Sequence, residues 1–229
     1  TNIQKQESIP WRAPSASIFT IVGSISTSYS SPEVAYSKAL MFYDHNIPIG
    51  ATVRLQVISS PIPSPVILYT QTKTVTRKSK AFWLIIPEDI KIIYYRITIT
   101  MPSPQILQIY RMLFGSTWIP NYNYSNSHSL SYQVSTLASQ KLRNGGTRVL
   151  PATPFKAISL KFDNLSSPTI GYFQDIVHKY SKHTDMGLIL CDEDTAYANT
   201  VNFVGRLTKW SEPALSLKGY NLSFDFEEV

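Results

Sequence analysis

The chain has 229 residues and a formal net charge of +6, but its charged fraction, 16%, is low beside the ~25% usual in globular domains. Fourteen Tyr and fifteen Pro against nine Gly favour β structure with Pro-punctuated turns, and suit equally a subunit that covers much of its surface with neighbours and an aromatic-rich β monomer. A single cysteine, Cys191, excludes an intrachain disulfide, and apolar runs such as Phe82–Pro87 are too short to span a bilayer as a helix.

Residues 1–35 are polar, rich in Ser and Pro, and form an expected N-terminal arm with one strand at Ile18–Val22. Such an arm lies either on a neighbouring subunit or as a loosely packed terminus. Residues 36–115 read as an antiparallel β-sandwich of jelly-roll type. The expected strands are Lys38–Tyr43, Thr52–Ile58, Val66–Tyr69, Ala81–Ile86, Ile92–Thr100 and Gln105–Phe114, separated by Pro-rich turns with no helix between them. Thr52–Ile58 alternates cleanly, with Val53, Leu55 and Val57 on one face. Lys73, Arg77, Lys78 and Lys80 make the densest basic cluster, in an expected Thr- and Ser-rich loop. It reads as a solvated hairpin tip or charged edge ahead of a contact for a polyanion such as nucleic acid or lipopolysaccharide.

Residues 116–128 are the most distinctive stretch. The strand before them is expected to break at Gly115. Trp118, Pro120, Tyr122 and Tyr124 then form an aromatic junction too rigid for an ordinary linker. Residues 129–229 read as a second β domain with one helix at about 167–184. Strands are expected at Ser129–Ala138 and Ala157–Phe162, with a turn at Asn144-Gly145-Gly146 between them. Ser167 is the expected N-cap and Pro168 the first helical residue, with Ile170, Phe173, Ile176, Val177 and Tyr180 at helical spacing. Lys179, Lys182 and His183 suit the helix's negative end, and Gly187 is expected to stop it. Leu188–Cys191, Val201–Leu207 and Tyr220–Phe226 complete the strands.

Reactive groups in a productive spacing are missing. Cys191, flanked by Leu188-Ile189-Leu190 and Asp192-Glu193-Asp194, lacks the electropositive setting of a reactive thiolate. His178 and His183 are five apart, not the four that shares a helix face, and His45 and His128 stand alone. The acidic run lacks calcium-loop spacing, and Gly145-Gly146 is followed by no phosphate-loop Lys. The expectation is a non-enzyme with no cofactor and no metal. Trp83, Trp118 and Trp210 are candidates for stacking on a sugar, behind core or interface packing as their first reading.

Ala39-Leu40-Met41-Phe42-Tyr43-Asp44-His45-Asn46-Ile47-Pro48, followed by Ala51-Thr52-Val53-Arg54-Leu55, resembles a segment of galactose-binding-like jelly rolls in tailed-phage tail proteins. Ile109-Tyr110-Arg111-Met112-Leu113-Phe114-Gly115, with Trp118 and Pro120, resembles the strand-Gly-aromatic junction downstream in the same family. A Gly-containing hairpin, the strand at Leu160-Lys161-Phe162, a helix, and Phe203-Val204-Gly205-Arg206-Leu207 follow in the family's order. Two positions depart from it: Asp44 and Tyr110 stand where the family carries Gly. The resemblance, over residues 36–229, implies a minor structural protein of a siphophage tail, similar to distal tail proteins. It implies a tail-tube-like second domain, and a three- or six-fold ring joining tube to hub or fibres. Assembly in the host cytoplasm and residence in the virion tail follow from it, with DNA only as passing cargo. A carbohydrate-binding module that recognises a host surface glycan is the alternative.

Overall fold

The alternation at Thr52–Ile58 is realised: Val53, Leu55 and Val57 are fully buried and point into the core of a β-sandwich. The computed structural model describes residues 11–24, 38–59, 65–87, 90, 92, 94–120, 129–134, 139–141, 147–149, 154–180, 184–191 and 196–229. The chain divides into two units, Thr1–Trp118 with Ile189–Phe203, and Ile119–Leu188 with Val204–Val229.

The first unit holds β1 (Trp11–Arg12), β2 (Ala16–Ser24), β3 (Lys38–His45), β4 (Thr52–Ile58), β5 (Ile67–Thr74), β6 (Ala81–Ile86), β7 (Tyr94–Gln105) and β8 (Gln108–Ser116). They form two antiparallel sheets, ordered β1-β8-β3-β6 and β2-β7-β4-β5. Strand β1 pairs with β8, β2 with β7, β3 with β6, and β4 with β5. The unit is thus one long antiparallel hairpin rolled on itself. Its core draws Leu40, Phe42, Phe82, Leu84 and Ile109 from one sheet, and Phe19, Val53, Leu55, Ile97 and Ile99 from the other. On the opposite face of β3 and β6, Met41 and Trp83 are buried as well. Strand β6 therefore reads as a continuous apolar run rather than an alternating one.

The second unit holds β9 (Ser129–Val134), β10 (Ser139–Lys141), β11 (Thr147–Val149), β12 (Pro154–Leu165), α1 (Ser167–Tyr180), β13 (Met186–Leu188), β14 (from Phe203 to Trp210), β15 (Ala214–Ser216) and β16 (Gly219–Glu228). Its main sheet runs β13-β14-β16-β12-β9, with β15 beside β16. Helix α1 buries Ile170, Phe173 and Val177. The Phe173 ring stacks on Phe224, 5.6 Å between centroids, and Phe162 stacks on the same ring at 5.7 Å. A six-residue helix, α2 (Ala196–Val201), belongs to the first unit.

Several expectations are corrected. Residues 11–24 of the supposed arm are two strands of the sandwich, and the rest of 1–35 lies outside the described residues. Strand β8 continues through Gly115 to Ser116, because β3 reaches that far and pairs with it. Strand β5 extends to Thr74, so Lys73 is a strand residue. The N-cap is Ser166, whose hydroxyl accepts from Thr169 N–H at 3.4 Å while its carbonyl accepts from Ile170 N–H. Gly187 lies within β13 rather than stopping a helix, and Val201 closes α2 instead of opening a strand. The Asn144-Gly145-Gly146 turn and residues 181–183 lie outside the described residues.

Candidate interaction surfaces

At the end of β3 the chain must turn sharply toward β4, and three consecutive residues shape that corner. Asp44 takes a left-handed backbone, φ 53°, and its N–H donates to the Lys80 carbonyl. Asn46 closes onto the start of β8: its Nδ2 donates to the Ile106 carbonyl, and its Oδ1 accepts from Gln108 N–H, both at 2.7 Å. Between them His45 Nδ1 accepts from Ile47 N–H at 3.2 Å. Burial lowers the His45 pKa from 6.5 to about 4, so the imidazole is neutral at physiological pH. Among the described residues its Nε2 has no hydrogen-bond partner, and it lies beside a narrow recess lined by Lys73, Arg77 and Trp83. The side chains of His45 and Asn46 are thus engaged in shaping the backbone.

The tryptophans separate. Trp83 is only 4% exposed, and Lys73 Nζ lies 4.3 Å from its ring centroid while reaching the Trp83 carbonyl at 3.5 Å. No face of that ring is open to a sugar, which removes Trp83 from the stacking candidates. Trp210 is half-buried and lines a shallow recess with Phe173, His178 and Glu212. Trp118 is half-buried and is the last residue before the boundary between the units. Pro120 follows that boundary, while Tyr122 and Tyr124 lie outside the described residues. The chain crosses between the units three times, at 118/119, 188/189 and 203/204. Gly115 has open space where a Cβ would stand, so close packing does not require glycine there.

Apolar side chains at sheet margins were not singled out by the sequence. In the first unit Ile18 and Val22 of β2 and Ile67 and Leu68 of β5 are all at least half exposed. These two strands are the opposite edges of one sheet. In the second unit Leu215 and Leu217 stand at the β15–β16 hairpin, whose turn is tied by Ser216 Oγ donating to the Gly219 carbonyl at 3.0 Å. The basic cluster resolves into a tucked Lys73 and exposed Arg77, Lys78 and Lys80 on the β5–β6 turn. The one signal that could have marked the β5 margin was its Thr-rich alternation, Thr70, Thr72 and Thr74, a strand composition.

Among the described residues no group of three His, Cys, Asp or Glu side chains is placed to hold a metal ion. Among them also, no helix is long and apolar enough to cross a membrane. The chain matches no family model, no curated protein and no solved structure.

Proposed function

We propose that the chain is a non-enzymatic structural subunit of a phage tail tip, its first unit a jelly roll, which assembles into a ring linking the tail tube to distal components. The observation that carries this reading is the rolled hairpin, with β1·β8, β2·β7, β3·β6 and β4·β5 paired, entered through the Asp44-His45-Asn46 corner. Two sheets that divide eight strands between them in this way support the jelly-roll reading. The corner supports the resemblance from an independent side. Asp44 occupies the left-handed conformation that glycine favours, at the position where the resembled proteins carry Gly.

Function on this reading is assembly. Sheet edges and apolar margins left open in one subunit are buried in a closed symmetric array. The second unit, a sheet carrying a single long helix, serves as the tube-like ring domain, and neighbouring tail proteins are the partners. Size-exclusion chromatography with light scattering, followed by imaging, tests this: a ring is expected. A stable monomer that binds host polysaccharide would overturn it and favour the glycan-binding alternative, for which the Trp210 recess beside α1 is the first place to look.

A further inference from the structure

The sheet β2-β7-β4-β5 ends in two unlike strands that fit each other. All its neighbours are antiparallel, so β2 and β5 run in opposite directions at opposite margins. A second copy placed side by side therefore presents its β2 antiparallel to the first copy's β5. Each edge strand directs every second backbone N–H and C=O away from its own sheet. Among the described residues no strand pairs with either free side. Both strands are long for edges, nine and eight residues.

The side chains fix the alignment. Thr70 and Thr72 lie opposite Gln56 and Arg54, which lie opposite Arg96 and Thr98, which in turn lie opposite Val22 and Thr20. These residues share the sheet's outer face, and by alternation Ile18 lies on it too; Leu68 stands at the bulge between Tyr69 and Ile67, exposed like Thr70 and Thr72. Leu68 is 56% exposed, Val22 50% and Ile18 60%. One antiparallel alignment sets Leu68 beside Val22 of the next copy, Thr70 beside Thr20, and Thr72 beside Ile18. It brings the exposed Leu68 and Val22 together and matches the β-branched pairs Thr70–Thr20 and Thr72–Ile18 across the strands, a favourable cross-strand combination.

We propose that copies of this chain join edge to edge through β5 of one and β2 of the next, in the register that pairs Leu68 with Val22. The contact is heterologous, so it propagates until it closes. This rests on the ring reading and names its contact. The occupant is a second copy because the same chain supplies both complementary edges in the required directions.

The test is disulfide trapping in a Cys191→Ser background. Protein carrying Leu68→Cys is mixed with protein carrying Val22→Cys under mild oxidation, and a 68–22 cross-linked dimer is expected. Leu68→Cys mixed with Ile18→Cys is the control: the thiols then stand four residues apart along the strand, about 13 Å, beyond the ~7 Å reach of a disulfide, and cross-linking is lost. With Cys191 retained, Leu68→Lys should abolish assembly while leaving the circular dichroism spectrum unchanged. Assembly without the 68–22 cross-link would overturn this contact and leave the ring reading standing. A monomer at all concentrations would overturn both. Protection of β5 amides by an added foreign strand, without self-association, would assign the edge to another occupant and likewise overturn the proposal.

Discussion

The Asn202 side chain holds the backbone of Cys191 by both of its polar atoms. Its Oδ1 accepts from Cys191 N–H at 3.2 Å and from Leu190 N–H at 2.8 Å, and its Nδ2 donates to the Cys191 carbonyl at 2.7 Å. Its own N–H caps α2 by donating to the Ala198 carbonyl. Asn202 is fully buried, so these bonds form away from competing water.

Asn202→Ala is therefore expected to lower stability by about 1–3 kcal/mol, since it removes the partner of two part-buried N–H groups and a carbonyl. Urea unfolding measures the loss, and amide exchange should accelerate at residues 190 and 191. A change under about 0.5 kcal/mol, the range of ordinary surface substitutions, would show that the bonds carry no weight.

Two glycines should respond in opposite ways to a methyl group. A Cβ on Gly205 would stand 2.1 Å from the Glu227 carbonyl oxygen, so β14 and β16 must separate to admit it. Gly205→Ala should cost at least about 1–3 kcal/mol by overpacking. At Gly115 no atom of the described residues, its chain neighbours aside, lies within 4 Å of the Cβ position, and Gly115→Ala should stabilise β8 by roughly 0.5–1 kcal/mol by reducing backbone entropy in the unfolded chain. Thermal melts of the two variants against wild type give the comparison.

Asp44 pays for its left-handed backbone with conformational energy that glycine would not incur. Asp44→Gly should raise stability by a few tenths of a kcal/mol, and Asp44→Val should lower it by about 1 kcal/mol, because a β-branched side chain fits the left-handed region worse than aspartate does. If valine is tolerated as well as glycine in denaturant titrations, the corner is not strained.

His45 sets a pH dependence with a definite sign. Burial depresses its pKa to about 4 in the fold, against 6.5 when exposed, so between those values the unfolded chain binds the extra proton. Its share of stability is complete above pH 6.5, declines as pH falls toward 4, and levels off below. At ~1.4 kcal/mol per unit the full loss is up to about 3 kcal/mol. His45→Gln should remove this component, so the difference between variant and wild type across pH 4–7 isolates it from carboxylate titrations. A wild-type curve parallel to that of the variant would refute the assignment.

Local pattern revealed much of the fold. Thr52–Ile58 and Ala81–Ile86 are strands over those limits, because each is bounded by turn residues and apolar enough to read alone. The helical spacing of Ile170, Phe173 and Val177 likewise marked the buried face of α1. Adjacent serines hid the cap: Ser166 and Ser167 offer the same chemistry, and only the backbone direction selects the first. Lys73 looked like a loop cation because its partners, Phe82 and Trp83, lie on the next strand. The role of Asn202 depends on where residues 190 and 191 arrive in space, and no spacing rule encodes that. The exposed edges were equally hidden, since strand order in a sheet is a tertiary fact.

The nested pairing of the first unit also orders its folding. Strands β4 and β5 are neighbours in sequence and close a short loop, whereas β1 meets β8 only after nearly the whole unit has been threaded. Because closure entropy grows with loop length and non-local pairing slows folding, the sandwich should zip from its middle outward. Trp11–Arg12 then docks last and opens first, so the seam with Gln108 and Ile109 is where a protease or a chaperone would meet the chain earliest.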